Sequence, residues 1–151
     1  VEMKGPEIVN RKASHLFQFI QSYEAGIMLK GTEVKSIRDG RANLSDAYCI
    51  FESGELWIKN LHISEYDAGA HNNHEPKRSR KLLLNKLELR KLERRVSEKG
   101  MAIVPYRIYF SERGITKVEI VLATGKKSFD KRESIKEKDQ KRDMDRAIKS
   151  H

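Results

Sequence analysis

The last 27 residues, Gly125 to His151, set the tightest limit on what this chain can fold into. They carry ten Lys/Arg and six Asp/Glu, and their large apolar side chains are Phe129, Ile135, Met144 and Ile148. Fixing one residue's backbone costs about 1–2 kcal/mol, whereas burying one large apolar side chain returns about 1.5–3 kcal/mol. So few apolar groups do not order a segment of this length. Helical pairs such as Glu137 with Lys141 add little, because isolated helices of this length are marginal in water. The segment is expected to be disordered alone and to order on a partner. The core then has to come from residues 1–124, which suffice for one domain, with 125–151 a basic tail.

Charge narrows the partner. The chain carries a net +9, of which the tail supplies four, so the body is basic in its own right. Such a surface suits a polyanion, nucleic acid first, with a merely soluble basic face as the plain alternative. Cys49 is the single cysteine, which excludes a disulfide framework and a thiolate metal cluster and fits a reducing cytoplasm. No apolar run approaches the roughly 18 residues of a membrane span, and "VEMKGPEIVN" lacks the apolar centre of a signal peptide.

Hydrophobic patterning predicts a mainly β, α+β domain. Residues 1 to about 12 read as a loose polar leader. "HLFQFIQSYEAGIML" reads as a first strand whose alternation is broken, so it is bent or buried on both faces, and Gly26 marks a bulge or a close backbone approach. In "GTEVKSIRDG", Thr32 is placed to cap a short helix and Asp39-Gly40 to end it. "AYCIFESGELWIKNLHI" is a hairpin turning at Glu52-Ser53-Gly54-Glu55, with Gly54 at positive φ. "SEYDAGAHNNHEPKRSR" has no period and is a long loop.

A short extended stretch then enters a helix capped by Asn85, with Glu88 three residues on and Gly100 at its end; Leu89, Leu92 and Val96 share one face. "MAIVPYRIYF" and "TKVEIVLAT" are two further strands joined by "SERG". In the second, Val118, Ile120 and Leu122 oppose Lys117, Glu119 and Val121. The leading architecture is a small OB-like antiparallel β-barrel with flanking helices, a fold that often binds oligonucleotides.

Catalytic signatures do not emerge. Gly125-Lys126 lacks the spacing of a phosphate-binding loop. His71, His74 and Glu75 have a metal-like flavour but no evident third ligand, and a solvated loop is the simpler reading. Cys49 reads as core. The chain is therefore expected to be a binding protein without a cofactor, not an enzyme. Its basic clusters are Arg11-Lys12, Lys35 with Arg38, Lys77 to Lys81 including Arg80, and Lys126-Lys127; such groups track phosphates. Glu24 is different, because an acid repels phosphate and suits a base edge or a 2′-hydroxyl. On patterning alone Glu24 is a surface strand residue, Leu83 core and Asn85 a helix cap.

Several stretches, in order from Asn10 to the end, resemble one family: "NRKA", "YEAGIMLKGTEVKSIRDGRANLSDAY", "NLHISEY", "RSRKLLLN", "GMAIVPYRIYF" and "LATGKKSFDKRESIKEKD". Together they resemble small protein B, the tmRNA-binding family of bacterial trans-translation. The resemblance implies an OB-like barrel that binds the tRNA-like domain of tmRNA, chiefly at its D-loop and elbow. It also implies delivery of alanyl-tmRNA with elongation factor Tu to stalled ribosomes, by a cytoplasmic, non-membrane protein expected to act as a monomer.

The tail is implied to enter the vacant mRNA channel at the decoding centre and fold there as a helix. Glu24, Leu83 and Asn85 fall on positions the family uses for tmRNA, and Asn10, Arg11, Lys12 and His15 match its conserved-type leading segment. Asp130, Lys131 and Arg132 match tail residues needed for accommodation and tagging. Phe129 stands where some relatives carry His or another aromatic ring. The alternative is a general single-stranded RNA-binding OB-fold protein, which needs exposed aromatic platforms. A metal-dependent nucleic-acid enzyme using His71 and His74 is a third class.

Overall fold

The computed structural model describes residues 5–66 and 72–126. Along the chain run β1 (Ile8–Val9), α1 (Ala13–Leu16), β2 (Phe17–Ile27), α2 (Gly31–Arg38), β3 (Ala42–Asn43), β4 (Tyr48–Glu52) and β5 (Glu55–Lys59). They are followed by β6 (His62–Ile63), β7 (Arg80–Leu83), α3 (Lys86–Lys99), β8 (Ala102–Phe110) and β9 (Thr116–Gly125). The main sheet has the order β1-β8-β4-β5-β7-β2-β9, and a further β8–β9 pairing closes it into an antiparallel barrel. Closure removes the open edges through which a sheet would pair with other chains. β3 and β6 form a separate two-stranded ladder.

The broken alternation of the first long strand has a physical cause. β2 pairs with β9 through a register shift between Phe19 and Gln21, an extra residue that bends the strand and resets which face each side chain takes. Beyond it Tyr23, Ala25 and Ile27 pack on the core, while Glu24 points outward. A second shift in β8, between Pro105 and Arg107, accommodates a proline inside a paired strand. The β4–β5 hairpin turns at Ser53 and Gly54, whose φ of 52° and 78° give the two positive values a tight primed turn requires.

The barrel interior is filled by Leu56, Ile58, Leu82, Ile108, Val118, Ile120 and Leu122, all fully buried. α3 buries Leu92 against this core, with Leu89 and Val96 packed beside it, as its spacing predicts. Asn85 Oδ1 accepts from the Glu88 N–H at 2.8 Å, and Gly100 ends the helix at φ 63°.

Two sequence readings need correction. The leader is not loose throughout: Ile8 and Val9 pair with Ile108 and Arg107. Asn10 clamps the same strand, its N–H donating to Tyr106 O at 2.6 Å and its Nδ2 to Pro105 O at 3.1 Å. A two-residue strand has too short a period to register in sequence. Nor does Thr32 cap α2. The cap is Lys30, whose N–H donates to the Glu33 carboxylate at 2.8 Å, while Thr32 Oγ1 meets His74 Nδ1 at 2.9 Å.

Candidate RNA interface

β2 and β7 bring two of the sequence-predicted residues onto one outward face. Gly26 pairs with Leu83, and a side chain at Gly26 would place its Cβ 3.3 Å from the Leu83 Cβ. The missing side chain thus lets Leu83 lie over β2. Leu83 is 47% exposed, so the reading of it as core fails: β7 turns Arg80 and Leu82 inward and Lys81 and Leu83 outward. Glu24 stands two residues from Gly26 on β2, and Asn85 two residues beyond Leu83, exposed while it caps α3.

Glu24 is held rather than loose. It lies opposite Glu119, a like-charge pairing that is unfavourable unless neutralised. Arg107 neutralises Glu119, donating from Nε to its carboxylate and from NH1 to Glu7 at 2.5 Å. The Tyr109 hydroxyl donates to Glu24 Oε2, and Lys117 Nζ stands 3.9 Å from Glu24 Oε1. Burial, and then the bond to Glu24, push the Tyr109 phenol above its ordinary value, which keeps it a proton donor. The guanidinium of Arg107 lies 4.4 Å from the Tyr109 ring centroid.

The basic residues divide into groups of different kinds. Arg38 is exposed, stacks 4.7 Å over Phe110 and donates to Gly114 O at 3.1 Å, so it borders the β8–β9 turn beside Glu24. Lys35 lies 5.4 Å from the Tyr66 ring, and Lys81 sits 3.5 Å from Glu55. Arg80 is a correction. Expected as a phosphate contact, it is fully buried, with Nε on Glu33 at 2.5 Å and NH1 on Leu61 O at 2.6 Å. An arginine so enclosed anchors the loop before β7 and presents nothing to a phosphate.

Glu33, which the sequence did not single out, is the hub of that anchor. Burial pushes its carboxyl up, but the hydrogen bonds from Arg78 and the Lys30 N–H and the charge of Arg80 outweigh it, leaving a net value below the usual carboxylate range. His74 belongs to the same region and is 2% exposed. Its Nε2 lies 2.8 Å from Ile63 O, which fixes Nε2 as the protonated nitrogen and leaves Nδ1 to accept from Thr32. His74 is thus a structural residue, and His71 lies outside the described residues. Among the described residues no group of three or more His, Cys, Asp or Glu is placed to hold a metal. Burial pushes the Cys49 thiol up, consistent with its core reading.

The leading segment sits elsewhere. Asn10 is buried and committed to β8, a correction to its expected RNA contact. Arg11 and Lys12 are exposed, and His15 is half-buried where β2 begins. Beside them the chain leaves the barrel: Phe17 pairs with Gly125, the Lys126 N–H donates to Leu16 O at 3.1 Å, and Lys126 Nζ donates to Ser14 O at 3.1 Å. These residues border the tail root, roughly 20 Å along β2 from Glu24 at about 3.3 Å per residue. Lys127, Phe129, Asp130, Lys131 and Arg132 lie outside the described residues.

Comparison with known proteins is consistent with this arrangement. A family model described as SmpB protein matches residues 7–150. An SsrA-binding protein of Phocaeicola vulgatus is 56% identical over 142 residues, covering 94% of this chain and 95% of the relative. That of Bacteroides thetaiotaomicron is 52% identical over 149 residues, covering 97% and 99%. A chain in a solved structure described as "tmRNA-SmpB: a journey to the center of the bacterial ribosome" superposes with a TM-score of 0.70 at 47% identity, covering 87% of this chain and 95% of that one. With a closed antiparallel barrel and near full-length matches on both sides, the chain belongs to the SmpB family.

Proposed function

We propose that this protein binds the tRNA-like domain of tmRNA and brings it to stalled ribosomes for trans-translation, the rescue pathway that tags the stalled peptide. The observation that carries this is family membership across residues 7–150, with relatives named SsrA-binding proteins and a structural neighbour described with tmRNA in the ribosome. The RNA-facing surface we assign joins Glu24, Leu83 and Asn85 with Arg38 and the β8–β9 turn. Lys35 and Lys81 flank it as phosphate contacts. Arg11, Lys12 and His15 are reached by tmRNA if it extends along β2 toward the tail.

The tail, residues 125–151, acts as the ribosome probe. Lys126, Lys127, Phe129 and the run Asp130-Lys131-Arg132 meet the decoding centre, and the remainder becomes helical in the vacant mRNA channel. Its composition supports this role, because a segment that does not order alone orders where an anionic RNA wall supplies the missing contacts. The protein acts as a cytoplasmic monomer, and elongation factor Tu joins through alanyl-tmRNA. No catalytic step is assigned to it.

The test is a chain ending at Gly125. Its affinity for the tRNA-like domain should stay close to that of the full chain, while peptide tagging on stalled ribosomes disappears. Loss of both together would overturn the division between barrel and tail.

A further inference from the structure

Both register shifts of the barrel fall beside β9. The shift in β2 leaves Ile20 outside the ladder opposite Ala123 and Leu122, and the shift in β8 does the same to Tyr106 opposite Ile120 and Glu119. A bulge re-aims the side chain of its extra residue. Here Ile20 is 46% exposed, and its neighbour Phe19, 37% exposed, meets the Tyr106 ring edge-on with 5.3 Å between centroids. With Val121 as floor they line a groove of about 260 Å³, rimmed by Gln21, Ser22 and Glu119.

The groove continues a face that the chain already covers next to the tail root. Ala13 of α1 packs with Val104, Val121 and Ala123, and Phe17 and Tyr106 lie beside them. Lys126 closes that end, donating from its backbone to Leu16 O and from Nζ to Ser14 O, both at 3.1 Å. α1 has only four residues, so its cover stops there and the apolar face runs on past Phe19 and Ile20.

The reach of the chain decides which side chain fits. Val121 lies five residues back from Lys126 along β9, roughly 17 Å at about 3.3 Å per residue. Phe129, three residues past Lys126, spans about 11 Å at full extension and first has to reverse direction, so it falls short. Ile135, nine residues past Lys126, spans about 30 Å and reaches. Met144 and Ile148 reach as well but close longer loops, at a higher entropic cost. Lys131, Arg132 and Lys136 bring positive charge to a rim that carries Glu119.

We infer that the groove is a docking site for the chain's own tail, with Ile135 seated over Val121 between Ile20 and Tyr106 and its basic neighbours turned toward Glu119. A single aliphatic anchor makes a contact that a stronger competitor for the tail displaces. The free protein thus keeps its tail against the barrel near the root, and a partner that takes the tail first draws Ile135 out of the groove.

The experiment is NMR on the full chain without RNA, with isoleucine methyls and backbone amides labelled. The Ile135 methyl signals should lie upfield of those of Ile148, shifted by the Phe19 and Tyr106 rings, and should show cross-relaxation to both rings. Ile135→Ser should move the amides of Phe19, Ile20, Ser22, Tyr106 and Val121, whereas Ile148→Ser leaves them in place. Ile20→Ser, an exposed change at the bulge, should return the Ile135 methyls to the position of those of Ile148. The amides of Leu56, Ile58 and Leu82, unmoved in every variant, report an intact barrel. Ile135 methyls that coincide with those of Ile148 in the wild type, or groove amides indifferent to Ile135→Ser, would overturn the assignment. So would groove shifts that fade on dilution, which belong to a second copy rather than to the chain's own tail. No RNA enters the measurement, so its failure leaves the functional reading standing.

Discussion

Two glutamates in this barrel are each held by neighbours that donate hydrogen bonds, and they differ in how much of each carboxylate the fold uses. Glu33 is fully buried; Oε1 takes the Lys30 N–H and Arg78, and Oε2 takes Arg80. Glu24 is exposed on the barrel's outside, with Tyr109 on Oε2 and only a distant lysine near Oε1. Saturation makes the first a structural clamp, since a buried charge persists only when paired and hydrogen-bonded. The unfilled edge of the second leaves it able to accept from a partner that arrives with donors. The same side chain is scaffold or recognition element according to how many of its acceptor directions the fold itself uses.

The largest expected effect comes from breaking the clamp. Glu33→Ala leaves Arg80 buried without its counter-charge and should destabilise the fold by about 3–5 kcal/mol, read from urea or thermal unfolding. A milder version is pH. Glu33 has its folded value held below the ordinary 4.5, so its contribution is complete above that value and is lost as pH falls through the folded one. The urea midpoint of the wild type should therefore drop on acidification below pH 4.5. Glu33→Gln, starting lower, should show a smaller drop over the same range, and parallel slopes would remove Glu33 from the clamp.

Intermediate in size is Asn85, a helix cap that is exposed on the face assigned to RNA. Asn85→Ala removes the bond to the Glu88 N–H and should cost about 1 kcal/mol of stability, the usual value of a helix cap. If Asn85 also meets RNA, affinity should fall where Asn85→Ser, which restores the cap alone, restores stability without affinity. The smallest stability effect belongs to Glu24→Gln. The amide keeps an acceptor for Tyr109 and faces solvent, so the change should stay within about 0.5 kcal/mol while RNA affinity falls. A stability loss matching that of Glu33→Ala would collapse the distinction between the two glutamates.

Much of the scaffold was legible because it rests on local rules. The β4–β5 turn, the Asn85 cap, the Gly100 stop and the alternation of β9 are each set within a few neighbouring residues. What escaped depends on pairings far apart in sequence. Glu33 and Arg80 are separated by 47 positions and Tyr109 and Glu24 by 85, so neither bond leaves a mark on a local pattern. The run from Lys77 to Lys81 read as a phosphate-binding patch, but strand alternation in β7 sends Arg80 inward and Lys81 outward, and Glu33 waits inside to receive the first.

Leu83 and Asn85 were ambiguous for a related reason. An exposed leucine and a helix cap look like core and cap in sequence, and only the pairing of Gly26 with Leu83 puts them on the outward side near Glu24. The bulge in β2 did leave a trace, in the lost alternation around Phe19, although the position of the extra residue is visible only in the pairing with β9.

The most direct test of the outward face is amide chemical-shift mapping of the full, isotope-labelled chain as the tRNA-like domain of tmRNA is added. Shifts concentrated at Glu24, Leu83, Asn85 and the Ser111 to Lys117 turn, with the amides of Glu33, His74 and Arg80 little changed, are the expected result. Shifts confined to Arg11, Lys12 and His15 at the tail root, with Glu24 and the turn silent, would contradict it.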